Sequence, residues 1–233
     1  MIEIKTLASG SMGNCYHITD GSTPLLLECG IPFKSIRRAL NFETSNLAGC
    51  LVTHEHKDHC VGLKDVARSG IDCYMSPGTA EAIGIDNHRI KKVQSKHQFE
   101  IGTWTIFPFD VQHDVSEPYG FLLVNKVGEK LLFATDTYYI RYKFKGLTHL
   151  LIECNYSIDI LNENIATGRT HKGMKNRLIK SHFSLENVKE FLLANDLSKV
   201  QEIHLLHLSD TNSDEELFKK EIQEITGKVV YVA

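Results

Sequence analysis

The chain is expected to be an α/β protein, with two β-sheets in the middle and helices outside. Three observations lead there. Short strand-like runs between tight turns fill the first half, and helix-period runs alternate with apolar strands in the last third. No repeat, low-complexity tract or Gly/Ser linker divides the 233 residues, so a single domain over 1–233 is expected.

The elements read in order. IEIKTLA (2–8), CYHIT (15–19) and PLLLE (24–28) are strands, separated by GSMGN and DGST. Pro32 opens a short helix with Ile36 and Leu40 one turn apart. GCLVT (49–53) is a strand, and LKDVARSG (63–70) a helix stopped by Gly70. DCYMS, a helix near 78–84, then RIKKV, WTIFPFD, GFLLV, KLLFAT and THLLIE make a β-rich middle. Leu185, Val188, Phe191 and Leu192 mark an amphipathic helix, and QEIHLLHL (201–208) a buried strand. Ser213 and Glu216 have capping-box spacing before a helix over 214–226, and KVVYVA is the last strand.

Composition narrows the class. Hydrophobic residues make up 42% and charged residues 24%, which excludes disorder, collagen and coiled coil. With 26 basic and 29 acidic side chains the net charge is −3, which speaks against a generally basic nucleic-acid coat but allows a local basic patch. The longest apolar runs are far too short for a membrane span, and no obligate protein partner is evident. No export leader is visible, and the six cysteines form no CxxC pair. Reduced thiols and a cytoplasmic location are expected, and a zinc ribbon is not.

Twelve histidines are unusual, and three fall within six residues, in Thr53-His54-Glu55-His56-Lys57-Asp58-His59. Residues two apart on extended chain point the same way, so His54 and His56 can grip one metal together. Asp58 and His59 follow on a turn and can address a second. Imidazole and carboxylate donors suit zinc, iron or manganese.

THEHKDHCVG is the H-x-H-x-D-H motif of the metallo-β-lactamase-fold hydrolases. LASGSMGNCY, LLLECGI, QHDVSEPYGF, ATDT, LIECNYSIDIL, SHFSLEN and LHLSDTN follow in family order over almost the whole chain. Together they resemble a small bacterial branch of DNA exonucleases found beside cell-wall two-component regulators, and hydrolases of Gram-positive phages and prophages. The resemblance implies an αβ/βα metallo-β-lactamase sandwich: two facing sheets, helices on both outer faces, and metals at one edge. It implies that His54, His56 and His113 hold one ion, that Asp58, His59 and His207 hold the other, and that Asp136 bridges them. Glu28 stands where the family usually has an aspartate; with Asn14 it is expected to support the ligands from behind. His204 and His207 are three apart, so on one strand only one of them can face the metals, and His207 matches the family position. His17, His88, His97 and His149 are read as ordinary core or surface histidines.

Two divalent ions, zinc first with manganese or iron as alternatives, would share a hydroxide as nucleophile. The fold runs such hydrolysis on lactams, thioesters, lactones and phosphodiesters. Three features favour phosphodiesters. The seven-ligand set matches the nuclease-type and thioesterase-type branches. RTHKGMKNRLIKSH (169–182) carries five basic residues and no acid, and RYKFK (141–145) adds three more. Six of the 29 acidic residues cluster in 210–224. Lys175, Arg177 and Asn155 are therefore expected at the substrate, with Asp58 and His182 catalytic. Asp136 and His207 are only 71 positions apart, too few for a large inserted domain, so 155–185 is read as a small helical cap. The expected substrate is a nucleic acid, DNA first, or a small phosphodiester. A thioesterase or lactonase is the competing enzyme. A di-iron redox protein is disfavoured, because His56 stands where that class carries glutamate and no flavin domain is present.

Overall fold

A computed structural model describes residues 1–233, which group into two compact units. Unit 1 comprises Met1–Asp110 and Val115–Glu129; unit 2 comprises Val111–Asp114 and Lys130–Ala233.

Unit 1 begins with the antiparallel strands β1 (Glu3–Ala8), β2 (Cys15–Thr19) and β3 (Leu25–Leu27). The sheet then turns parallel through β4 (Gly49–Leu51), β5 (Cys73–Met75) and β6 (Ile90–Lys92), in spatial order β1 to β6. Parallel neighbours need crossovers. These are supplied by α1 (Phe33–Ala39), by the one-turn α2 (Lys57–Cys60) with α3 (Leu63–Arg68), and by α4 (Pro77–Ile83). Leu25, Leu26, Leu27, Cys50, Leu51 and Val52 are wholly buried, as expected of strands covered on both faces. The antiparallel strands β7 (Phe99–Ile101), β8 (Trp104–Asp110) and β9 (Tyr119–Val124) complete the unit. β7 is not among the expected strands. It is three residues long and exists through its hairpin with β8, turned at Gly102 with φ +58°.

Unit 2 carries β10 (Lys130–Ala134), β11 (His149–Glu153), β12 (Glu202–Leu206) and β13 (Val229–Val232), all parallel and adjacent in that order. Between β11 and β12 come α5 (Ile158–Ala166), α6 (Lys172–Ser181) and α7 (Leu185–Leu193). The amphipathic α8 (Glu215–Thr226) links β12 to β13 and packs on α7. The expected capping box at its start is not formed. Asp214 is the N-cap and accepts from Leu217 N at 2.9 Å, while Ser213 Oγ turns back to Ser209 O at 2.6 Å. An aspartate adjacent to the serine offers an equally good cap and adds a negative charge at the positive helix end. No helix is long and apolar enough to cross a membrane.

Candidate metal centre

The chemistry-bearing residues sit at the carboxyl ends of parallel strands, where open α/β sheets place their ligands. Glu28 follows β3 and His54 follows β4; Asp136 follows β10, Asn155 follows β11 and His207 follows β12. Three of these five exits are left-handed without glycine: Glu28 at φ +64°, Asp136 at +45° and His207 at +54°. Each such residue costs on the order of 1–3 kcal/mol, a strain that concentrates at functional sites.

In unit 1 the HEHKDH segment leaves β4 extended and then winds into α2. His54 Nε2 and His56 Nδ1 stand 3.1 Å apart. Two nitrogens about 2.0–2.1 Å from one tetrahedral zinc would be about 3.3 Å apart, so the pair has the spacing of two ligands to one ion. The other nitrogen of His54, Nδ1, lies 2.9 Å from Thr53 Oγ1, which settles how the ring is turned. The His59 ring is buried, with Nε2 3.4 Å from Asp58 Oδ2 and 3.3 Å from Asn14 Nδ2.

Glu28 supports this loop from behind. Its carboxylate accepts from Thr53 N at 3.1 Å and lies 3.6 Å from His59 Nδ1. Burial pushes its carboxyl up, and the His59 and Thr53 contacts pull the other way without cancelling the rise. Asn14 Nδ2 donates to the carbonyls of Gly10 and Asp58, which ties the glycine-rich 9–13 turn to the ligand loop. Gly30 permits the close approach: a Cβ there would stand 1.6 Å from Asp58 O. Glu28→Ala should lower the free energy of unfolding by about 1–3 kcal/mol, because Thr53 N loses its buried acceptor. It should also weaken metal binding roughly 10–100-fold. Denaturant titration and a competitive chelator assay measure the two effects.

In unit 2, His113 Nδ1–H donates to Ser181 O at 2.9 Å, so Nε2, 3.8 Å from Asp136 Oδ2, is the nitrogen that could bind a metal. His207 Nδ1 lies 3.0 Å from Asp136 Oδ1, and Thr135 Oγ1 donates to the same carboxylate oxygen at 2.9 Å. His204 is instead on the opposite side of β12, 5.0 Å from the Tyr231 ring and 3.2 Å from Glu202 Oε1. One atom each from Asp136, Glu153, His182 and His207 lie within 4.8 Å of one another. This imidazole–carboxylate set suits a borderline divalent cation, as do the histidines of unit 1.

Glu153 is the residue the sequence reading missed. It ends β11 wholly buried, accepts from His182 Nδ1–H at 2.6 Å, and lies 3.3 Å from His207 Nδ1. Its other oxygen takes the backbone N–H groups of Thr137 and Phe183 at 2.9 and 3.1 Å. Burial and the neighbouring Asp136 carboxylate would push its carboxyl up; the His182 charge and the hydrogen bonds to His182 and His207 outweigh them and hold it below the usual range. Burial likewise pulls the His182 imidazole down, and Glu153 more than reverses it. His182 does not cap α7; Ser184 does, accepting from Asn187 N. The available signal for Glu153 was a carboxylate closing an otherwise apolar strand, HLLIE, as Glu28 closes LLLE.

Of the expected substrate residues, Arg177 is exposed on α6, and Lys175 donates to Asn162 Oδ1 at 2.6 Å. Asn155 is buried; its Nδ2 donates to His207 O at 2.8 Å and so holds that strained residue.

A family model described as a beta-lactamase superfamily domain matches residues 25–207. Exodeoxyribonuclease WalJ of Streptococcus pneumoniae is 31% identical over 229 residues, covering 91% of this chain and 83% of that protein. Exodeoxyribonuclease YycJ of Bacillus anthracis is 26% identical over 242 residues, covering 96% of this chain and 89% of that protein. The crystal structure of the metallo-β-lactamase fold protein YhfI from Bacillus subtilis matches with a TM-score of 0.76 at 16% identity, covering 100% of this chain and 95% of that one. The fold is therefore the expected α/β metallo-β-lactamase sandwich, which implies divalent metal ions. By the span of the family match and the identity to its relatives, the chain belongs to the β-lactamase superfamily.

Proposed function

We propose that this protein is a metal-dependent nuclease that hydrolyses phosphodiester bonds of DNA. Two divalent ions, zinc first, would be held by His54, His56 and His113, by Asp58, His59 and His207, and by Asp136, which would serve both. The observation that carries the reading is the buried and half-buried donor set of each unit, with the outer nitrogens of His54 and His113 already engaged. Two relatives over nine-tenths of the chain are named exodeoxyribonucleases, which supports DNA as the substrate. When bound, such ions polarise a phosphoryl oxygen and make water nucleophilic near neutral pH.

The chain's own residues supply the rest. Asp58 acts as a ligand and orients the attacking water. Glu153 holds Nδ1 of His182, which leaves Nε2 to deliver a proton to the departing ester oxygen. Asn155 keeps the His207 backbone in place, a positioning role rather than substrate contact. Segment 155–185, which contains α5 and α6, handles the strand, with Lys175 and Arg177 on its phosphates. Six free cysteines, five of them buried, fit a reducing compartment such as the cytoplasm.

Metal analysis of the purified protein with a substrate panel tests this reading. Turnover of single-stranded oligonucleotides and a bis-aryl phosphodiester is expected, and thioesters and lactones should be poor substrates. Preference for a thioester or lactone would refute the assignment. Lys175→Gln with Arg177→Gln should raise KM for oligonucleotides more than for the bis-aryl diester, which lacks flanking phosphates. The double variant should also flatten the salt dependence, by about 0.7 in the log–log slope for each lost contact to a single strand.

A further inference from the structure

A cavity of about 220 Å³ opens in unit 2, between the segment Tyr139–Lys143 that follows β10 and the exposed side of α7. Its apolar wall is Phe183 and Phe191, both nearly fully buried. Its mouth carries the Tyr139 ring, which is 56% exposed. Arg141 and Lys143 line the cavity and are exposed, while Asn187 and Glu190 supply polar groups from α7.

The cavity is tied to the candidate centre by chain and by hydrogen bond. Tyr139 lies three residues after Asp136, and the Thr137 side chain holds its backbone through both N and O at 3.3 and 3.0 Å. Phe183 directly follows His182, and its N–H is bound to Glu153. Asn187 Nδ2 donates to Tyr138 O at 3.4 Å, which braces α7 against the same segment. Hydrogen bonds thus tie the wall to the segments that carry Asp136 and His182.

A pocket below the roughly 300–1,000 Å³ of drug-sized sites takes one ring system. Aromatic surface, a polar edge and two cations at the rim are the parts that hold one base and its neighbouring phosphates in single-strand binders. We propose that this cavity binds a nucleobase of a single-stranded substrate, stacked on Tyr139, with Arg141 and Lys143 on the adjoining phosphates. The inference rests on the nuclease reading above and adds to it a base subsite on the segments that carry Asp136 and His182, and a preference for single strands.

Equilibrium binding of a fluorescein-labelled, hydrolysis-resistant phosphorothioate dT hexamer tests it without turnover. Tyr139→Ala should weaken binding about tenfold or more, and Tyr139→Phe should restore it, because stacking needs the ring and not the hydroxyl. Both variants should melt with the wild type, since the ring is largely exposed. On a hexamer whose bases are all removed, wild type and Tyr139→Ala should bind alike. Equal affinity of wild type and Tyr139→Ala for the intact hexamer would overturn the subsite. So would an equal loss on the abasic strand. Turnover of an unmodified hexamer, measured in parallel, reports on the nuclease reading separately: binding that depends on Tyr139 with no turnover would sink that reading and leave the subsite standing.

Discussion

Asp136→Ala is expected to lose both metal ions and nearly all hydrolysis. Its carboxylate oxygens face different imidazoles, Oδ1 toward His207 and Oδ2 toward His113, and a carboxylate shared by two ions serves both. The loss of affinity should exceed the roughly 10–100-fold that removal of an outer-sphere partner costs. Alanine is also poorly suited to the left-handed backbone at φ +45°, so part of any loss in Tm would be conformational. Asp136→Asn separates the two causes, because asparagine tolerates that conformation and keeps the shape while removing the charge. The asparagine variant should melt above the alanine variant yet still bind metal poorly. Elemental analysis decides the matter: two metal equivalents retained by both variants would count against a shared carboxylate.

The second large effect is expected at His182. If it delivers a proton to the leaving oxygen, His182→Ala should reduce kcat by about 10²–10⁴ while metal content stays at the wild-type level. The substitution also removes the hydrogen-bond partner of Glu153, a carboxylate with no exposed surface, so some loss of stability accompanies it. His182→Gln retains a donor toward Glu153 without a titratable ring and should recover stability but not turnover. Glu153→Gln should lower kcat by less than either, since His182 keeps its chemistry and loses only its anchor. Loss of metal in His182→Gln with kcat reduced in proportion would make His182 a ligand or a scaffold residue instead.

The amino-acid sequence alone determined the fold class, most strand positions and the ligand candidates. Its reach follows from locality. His54, His56, Asp58 and His59 lie within six residues, so the alternation of an extended chain and one turn are enough to group them. Apolar runs such as LLL at 25–27 and HLLIE at 149–153 announce buried parallel strands by composition. The two misjudged details, the β7 strand and the cap of α8, are choices among near-equivalent short-range options, and neighbouring structure selects between them.

Only the tertiary structure brought Glu153 behind the imidazoles of unit 2. Glu153 lies 29 positions from His182 and 54 from His207, and no periodicity links them. They meet because β11 and β12 pair in parallel, Glu153 opposite Leu206, so that one strand's last residue adjoins the other's exit. The same holds for Asn155 under the His207 carbonyl and for the cavity between Tyr139 and α7. Side-chain identity is written along the chain, but strand register and helix docking bring distant residues into contact. Those depend on burying apolar surface over the whole unit rather than on any local run.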